Sequence, residues 1–295
     1  MHSLEDMILH QKHLKILKNE SMSKHTSWRI GGNADYFFQP KNFDEIQEVL
    51  SNLNDKIPIY MIGLGSNILV KDSGIRGLVI CTKDMKEKIK LINNKVFVPC
   101  SIKCGELTRF GIEHKLSPTV FFSGIPGTIG GALAMNAGAF GFETWDYVES
   151  IKLINSSGQI EIRSREQFEI GYREVSFSDQ EFFLEACFIF KNQAHSKDEL
   201  RKIVSVRKEK QPIGEKNCGS VFKNTKDYFA GELIEKAGLK GLRIGGAEIS
   251  NKHANFINNL EDASSRDIEE LINKVIKEVE AKFKVQLEKE VRILG

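Results

Sequence analysis

No apolar run in the 295 residues approaches the roughly 18 that a membrane-spanning helix requires, so a membrane protein is not expected. The opening MHSLEDMILHQKHLKIL is amphipathic and broken by charge, unlike a secretory signal. Neither sign of charge prevails: 42 Lys+Arg against 40 Asp+Glu leave a formal charge of +2. That balance argues against a protein that coats nucleic acid. Cysteine is sparse and odd in number (Cys81, Cys100, Cys104, Cys187 and Cys218), and no second Cys/His pair accompanies Cys100 and Cys104. Neither a disulfide framework nor a metal site is indicated, and reduced thiols in a cytoplasmic protein are expected. Internal repeats and low-complexity segments are absent too. What remains is a globular chain, 41% hydrophobic and 28% charged, with length for about two domains.

Periodicity supplies the elements. Leu4, Met7, Ile8, Leu14 and Leu17 suggest a short amphipathic N-terminal helix over 4–17, followed by a polar stretch from Lys18 to Thr26. FDEIQEVLSNL places Ile46, Val49, Leu50 and Leu53 on one helical face. From Ile57 the texture changes to short apolar or alternating runs (IPIYMI, NILV, GLVIC, KIKLI, KVFVP), which read as strands. GELTRFGIEHKL reads as a helix, and IKLI, GQIEI and EFFLEACFIF as further strands. Ser196 with Glu199 fits a capping box that opens a helix after a boundary near residue 193. A last helix starts near Ser264 with Ile268, Leu271, Ile272, Val275, Ile276, Val279 and Phe283 inward. The closing VQLEKEVRIL alternates as a strand. The expected class is α+β: an N-terminal helix over 1–19, one domain over 20–193 and a smaller α+β domain over 194–295.

Two glycine-rich segments stand out. IYMIGLGSNILV sets Gly63 and Gly65 between apolar runs, but Ile68 stands where a dinucleotide fingerprint needs its third glycine. No Lys-Ser/Thr pair makes it a P-loop. Backbone N–H groups there, with Ser66 and Asn67, can line an anion-binding concavity; the alternative is a plain strand-to-strand turn. GIPGTIGGALAMNAGAFG holds Gly124, Gly127, Gly130, Gly131, Gly138 and Gly141. Each glycine inside a helix costs about 1 kcal/mol relative to alanine, so this density serves close approach or positive φ. Pro126 at the turn and Thr128 as N-cap would aim a helix start at a phosphate; the alternative is a tightly packed structural elbow.

Two such loops separated by a small αβ segment resemble the FAD-binding fold of the vanillyl-alcohol-oxidase/PCMH class. The resemblance narrows with SWRIGGNADYFF, GLGSNILVKDSGIRGLVI, SGIPGTIGGALAMNAGAFG, GYR, GSVFKN, KHANFINN and LEKEVRILG. These seven occur in the order found in the UDP-N-acetylenolpyruvoylglucosamine reductase (MurB) family, from about Thr26 to Gly295. The resemblance implies a PCMH-type FAD-binding domain in two lobes plus a C-terminal substrate domain. It also implies noncovalent FAD, with NADPH as hydride donor. The reaction implied reduces the enolpyruvyl ether of UDP-N-acetylglucosamine to UDP-N-acetylmuramate, for peptidoglycan precursors. On the same ground the cofactor set is Gly63, Gly65, Ser66, Asn67, Gly124, Pro126, Gly127, Thr128, Gly131, Asn136 and Gly138. A small-molecule partner and a monomer or weak oligomer are expected. The chain resembles the shorter type of the family, without the inserted loop whose tyrosine closes over the substrate. The competing readings are another PCMH-class flavoenzyme acting on a sugar or alcohol, and a flavin-free sugar-nucleotide sensor.

The chemistry explains which side chains matter. Hydride addition at the vinyl CH2 builds negative charge on the neighbouring carbon and its carboxylate, and one charge-facing donor contributes about 3–4 kcal/mol in a dry site. Arg173 in GYREVSF matches the family arginine that polarises that carboxylate; by itself it reads as a surface arginine in a solvated ion pair. Val175 stands where relatives often carry serine. Ser220 in NCGSVFKN matches the serine that protonates the carbon, and no Gly-x-Ser-x-Gly elbow surrounds it. Cys218, two residues before it, reads either as a small inert residue or as an alkylatable thiol beside the site. Glu290 matches the family glutamate of the closing strand and would need a raised pKa to donate a proton. Tyr172, Lys210 and Asn224 match substrate-binding positions. His253 and Asn255 are candidates for the same cavity, whereas Lys223 reads equally well as a solvent-side cation.

Overall fold

The computed structural model describes residues 4–10, 13–53, 56–194 and 197–295, without the side chains of 9, 10 and 197–199. The expected capping box at Ser196 and Glu199 lies outside these residues. The chain divides into two units: unit 1 is Met1–Asn19, Tyr36–Leu64 and Gly77–Val204; unit 2 is Glu20–Asp35, Gly65–Arg76 and Ser205–Gly295.

Unit 1 is built on strand Glu181–Phe188, the EFFLEACF run. It lies centrally in a five-stranded antiparallel sheet, with Val148–Asn155 and Ile160–Ser164 on one side and Lys95–Pro99 and Lys90–Ile92 on the other. A bulge skips Leu184 in the register with Val148–Asn155 and shifts the alternation there, so the strand's residues divide between two cores. Phe182 and Leu184 join one, with Ile46, Val49, Leu50, Leu78 and Ile80. Phe183, Ala186 and Phe188 join the other, with Phe121, Phe122, Ile129 and Trp145. A strand covered on both faces has no polar face, so its sequence reads as a nearly continuous apolar run. The two cores are the two lobes that the fold class led us to expect. In the first, helix Phe43–Asn52 packs its Ile46, Val49 and Leu50 face inward, and Asn42 caps it by accepting Glu45 N–H at 2.9 Å. Strand Ile59–Ile62 runs parallel to Ile75–Cys81 nearby.

The N-terminal helix is shorter than its sequence suggested. It spans Leu4–His10, and Ile16–Ser21 is a strand. Leu14 and Ile16 are buried while Leu17 is 36% exposed, so past the polar HQKH the burial has a period of two rather than of a helix.

Unit 2 packs helix Ser265–Phe283 against the three-stranded antiparallel sheet Arg243–Ile244, Ala247–Ile249 and Ile257–Asn259. Ser264 and Asp267 form a reciprocal capping box, and of the expected inward face Ile268, Leu271, Ile272, Val275 and Val279 are buried while Ile276 and Phe283 are half-buried. The closing alternation holds, with Leu287 and Val291 buried, but only Arg292–Leu294 forms a ladder. It pairs in parallel with Ile68–Val70. Trp28, fully buried, donates its indole N–H to Ile257 O at 2.7 Å.

Candidate functional site

In unit 1 the first glycine loop is not a hairpin turn. Its flanking strands, Ile59–Ile62 and Ile68–Val70, belong to different sheets, and the loop carries the chain from one unit to the other. A Cβ on Gly63 would stand 2.2 Å from Thr128 Oγ1, so the first loop touches the second only because glycine is there. Thr128 caps Ile129–Ala134 as expected, accepting Gly131 N–H at 3.5 Å. That helix is six residues long, too short for its dipole to dominate. Backbone donors remain. Ile129 and Gly130 give their N–H groups to Ile102 O and Cys100 O. The N–H of Gly127 and of Thr128, a residue 2% exposed, make no hydrogen bond among the described residues. Ser101, between those two acceptor residues, has a buried hydroxyl with no partner. Donors left over in this way, at the buried Thr128 and Ser101 and the half-buried Gly127, suit an acceptor such as a dinucleotide's pyrophosphate. Gly124 is held close to Ala139 and Phe140, Pro126 is exposed, and Gly131 has open space on its Cβ side.

Arg173 sits in the turn of the hairpin Ile170–Gly171 and Glu174–Val175, with φ +57°. Its guanidinium donates to Asn136 O (3.2 Å) and Gly138 O (2.9 Å), lies 3.8 Å from Glu143 Oε1 and covers the Tyr172 ring at 4.9 Å. Its side chain is 15% exposed, so this is no solvated surface arginine. A Cβ on Gly138 would come within 3.1 Å of Arg173 Nη1, so that glycine makes room for the guanidinium. Asn136 donates to Glu143 (2.7 Å) and Gly171 O (3.0 Å) and accepts Trp145 N–H (3.2 Å), so its amide braces the arginine's surroundings. Val175, in place of the family serine, is buried in the apolar core and anchors the hairpin. Tyr172 is 46% exposed.

Unit 2 gathers the other candidates. Ser220 and Asn224 line a cavity of about 330 Å³ with His253 and Asn255, as anticipated for that pair. Val221 O accepts Glu290 N–H at 2.8 Å, so the segments bearing Ser220 and Glu290 run side by side. Asn67 accepts Arg292 N–H on its carbonyl (3.1 Å) and donates Nδ2 to Glu290 O (3.1 Å), tying the first loop to the closing strand. Gly65 there has φ +63°, and Ser66 is half-buried. Asn224 Oδ1 accepts Ala230 N–H at 3.0 Å. Lys223 pairs with Glu288 at 2.7 Å. Lys210 is exposed at the end of helix Lys197–Lys210 and does not line the cavity. Burial, then the charge of Lys240, lowers the His253 pKa below 6.5, so the imidazole is neutral at pH 7. Burial first, and the charge of Glu290 second, raise the Cys218 thiol well above 9, and the residue is only 4% exposed, both of which disfavour a reactive thiolate. Sequence reasoning had missed Ser101 and Phe229, and had given Asn255 no structural task. Their importance comes from partners brought close by folding.

Fold and site define a flavin-dinucleotide oxidoreductase of the PCMH type with an added α+β domain. The comparisons bear this out. Residues 34–163 match an FAD binding domain, and residues 211–294 match the UDP-N-acetylenolpyruvoylglucosamine reductase C-terminal domain. A UDP-N-acetylenolpyruvoylglucosamine reductase of Methylococcus capsulatus is 42% identical over 285 residues, 95% of this chain and 93% of that protein. One from Legionella pneumophila is 41% identical over 284 residues, 95% of this chain and 94% of that protein. The crystal structure of the Thermus caldophilus enzyme superposes with a TM-score of 0.81 at 28% identity, covering 96% of this chain and 100% of that one. The chain belongs to the UDP-N-acetylenolpyruvoylglucosamine reductase family and is an FAD-dependent oxidoreductase. Among the described residues no helix is long and apolar enough to cross a membrane, and no cluster of His, Cys, Asp and Glu could hold a metal ion.

Proposed function

We propose that this protein reduces the enolpyruvyl ether of UDP-N-acetylglucosamine to UDP-N-acetylmuramate, with Arg173, Ser220 and Glu290 as its catalytic side chains. Noncovalently bound FAD supplies hydride transfer from NADPH to the vinyl CH2. Arg173, preset by two carbonyls, offers a guanidinium to the carboxylate on which charge develops. Glu290 offers a carboxyl to the same group. Ser220 Oγ gives its proton to the carbon next to that carboxylate, and water restores it. The N–H groups of Gly127 and Thr128 bind the cofactor pyrophosphate, and Gly63, Gly65, Ser66, Asn67, Gly124, Pro126, Gly131, Asn136 and Gly138 are the further residues assigned to the cofactor. Tyr172, Lys210 and Asn224 bind substrate. Residues 20–193 carry the flavin task and residues 194–295 the substrate task, in a cytoplasmic monomer or weak oligomer.

The observation that supports this reading most is the hydrogen bond from Glu290 N–H to Val221 O, which sets a hydroxyl-bearing and a carboxyl-bearing segment side by side. An oxidase of sugars or alcohols has no use for a proton donor at a developing carbanion. The test is anaerobic: NADPH bleaches the visible flavin bands, and one equivalent of enolpyruvyl substrate restores them. A reduced protein that the substrate leaves bleached would refute the assignment.

A further inference from the structure

The cavity that holds Ser220 has an aromatic rim. Phe229 lines it while remaining 68% exposed, the most exposed phenylalanine among the large hydrophobics outside the core. Leaving that much apolar surface in water is unfavourable. The local backbone holds the ring where it is. Thr225 N–H donates to Tyr228 O (3.0 Å) and Tyr228 N–H to Thr225 Oγ1 (3.0 Å), closing a tight turn. Asn224 Oδ1 takes Ala230 N–H immediately after Phe229. The ring is therefore presented by a turn braced on both sides, five residues beyond the motif that carries Ser220.

Charge identifies the group that suits this part of the cavity. Glu232, Glu235 and Lys252 line it, Lys252 gives its ammonium to Lys208 O at 2.7 Å, and His253 is neutral at pH 7. Each glutamate is already paired, with Lys236 at 2.6 Å and with Lys240 at 2.7 Å, so neither lysine is spare for an anion. Paired in this way, the carboxylates attract no diphosphate but keep acceptor oxygens for a hydrogen bond from a neutral ring bearing N–H. We propose that Phe229 is the platform on which the uracil of the UDP-sugar stacks, a residue that fixes substrate binding and specificity. The inference rests on the reading of the substrate given above. A planar heteroaromatic ring is also present in NADPH, and the experiment separates the two.

The holoenzyme and its Phe229→Ala, Phe229→Leu and Phe229→Tyr variants are compared in three measurements: UDP binding by calorimetry, steady-state KM and kcat, and the rate of flavin bleaching by NADPH. Stacking lost to alanine weakens UDP binding and raises the substrate KM by roughly tenfold. Leucine, apolar but without a π-face, is expected to lose most of that affinity, and tyrosine to stay within about twofold. Flavin content and melting temperature report that each variant is folded. The platform is overturned if alanine or leucine binds UDP as tightly as phenylalanine, or if the loss appears in bleaching by NADPH instead. If the unaltered enzyme is bleached by NADPH yet binds no UDP, the substrate reading itself fails, a result distinct from failure of the platform alone.

Discussion

Arg173 holds a left-handed backbone conformation that costs a non-glycine residue about 1–3 kcal/mol, and such strain tends to persist where a side chain must be aimed. Its two acceptors, Asn136 O and Gly138 O, are spaced for a fork. A lysine keeps the charge but cannot span both carbonyls. Arg173→Lys is therefore expected to slow substrate-dependent flavin reoxidation by about 10²–10³, the scale of losing one aligned donor, while NADPH-dependent bleaching proceeds normally. Anaerobic stopped-flow absorbance checks both halves; an unimpaired reoxidation would remove Arg173 from the chemistry. The tyrosine-arginine pair was legible in the sequence as a motif. Its rigidity was not, because the carbonyls that hold it lie 35 and 37 residues away.

Among elements, the pair of segments around Ser220 and Glu290 depends on a residue in neither. Asn255 accepts Phe222 N–H on Oδ1 and donates Nδ2 to Phe222 O, both at 2.9 Å, and its own carbonyl takes Val221 N–H. Replacing it with alanine strands two backbone groups of a residue only 1% exposed, at about 1–3 kcal/mol each. Asn255→Ala is expected to destabilise by roughly 2–4 kcal/mol, read as a lower urea midpoint, and to reduce kcat because Ser220 loses its support. A midpoint equal to that of the parent would show that the cross-link carries no weight. Helix Ser265–Phe283 and strand Glu181–Phe188 were legible because burial writes a period, or a continuous run, into the chain. The N-terminal segment was misread because Leu14 and Leu17, three residues apart, fit a sparse helical pattern, whereas Ile16 is buried in place of Leu17. The glycine loops announced a binding surface, but the unspent amides of Gly127 and Thr128 emerged only when the partners of Ile129 and Gly130 were known.

At the scale of the whole molecule, protonation and chain path both set stability. His253 has its pKa lowered by burial, Glu20 by its hydrogen bond to His25, and Glu181 by Arg163. In each case the unfolded chain binds the proton at higher pH than the native one, so stability falls as pH drops. The loss begins below 6.5 with His253 and continues below 4.5 with the carboxylates. The urea midpoint is expected to decline between pH 7 and 5, and less steeply in His253→Gln; parallel slopes would contradict the assignment. The second consequence comes from interleaving. Unit 2 borrows Glu20–Asp35 and Gly65–Arg76 from far upstream. Trp28 fills its core, Asn259 Nδ2 donates to Trp28 O (2.9 Å), Val70 pairs with Leu294, and Asp72 accepts the N–H of Ser265 (3.1 Å). Losing a buried tryptophan alone costs about 3–5 kcal/mol, against a typical domain stability of about 5–15 kcal/mol. Here Ile30, Leu69 and a paired strand would go with it. The fragment 194–295, although it contains the whole of the matched C-terminal domain, is therefore expected to lack a cooperative unfolding transition that the full chain displays. Circular dichroism across a urea series decides it: a sigmoidal transition in the isolated fragment would mean that these upstream segments are dispensable to the unit they complete.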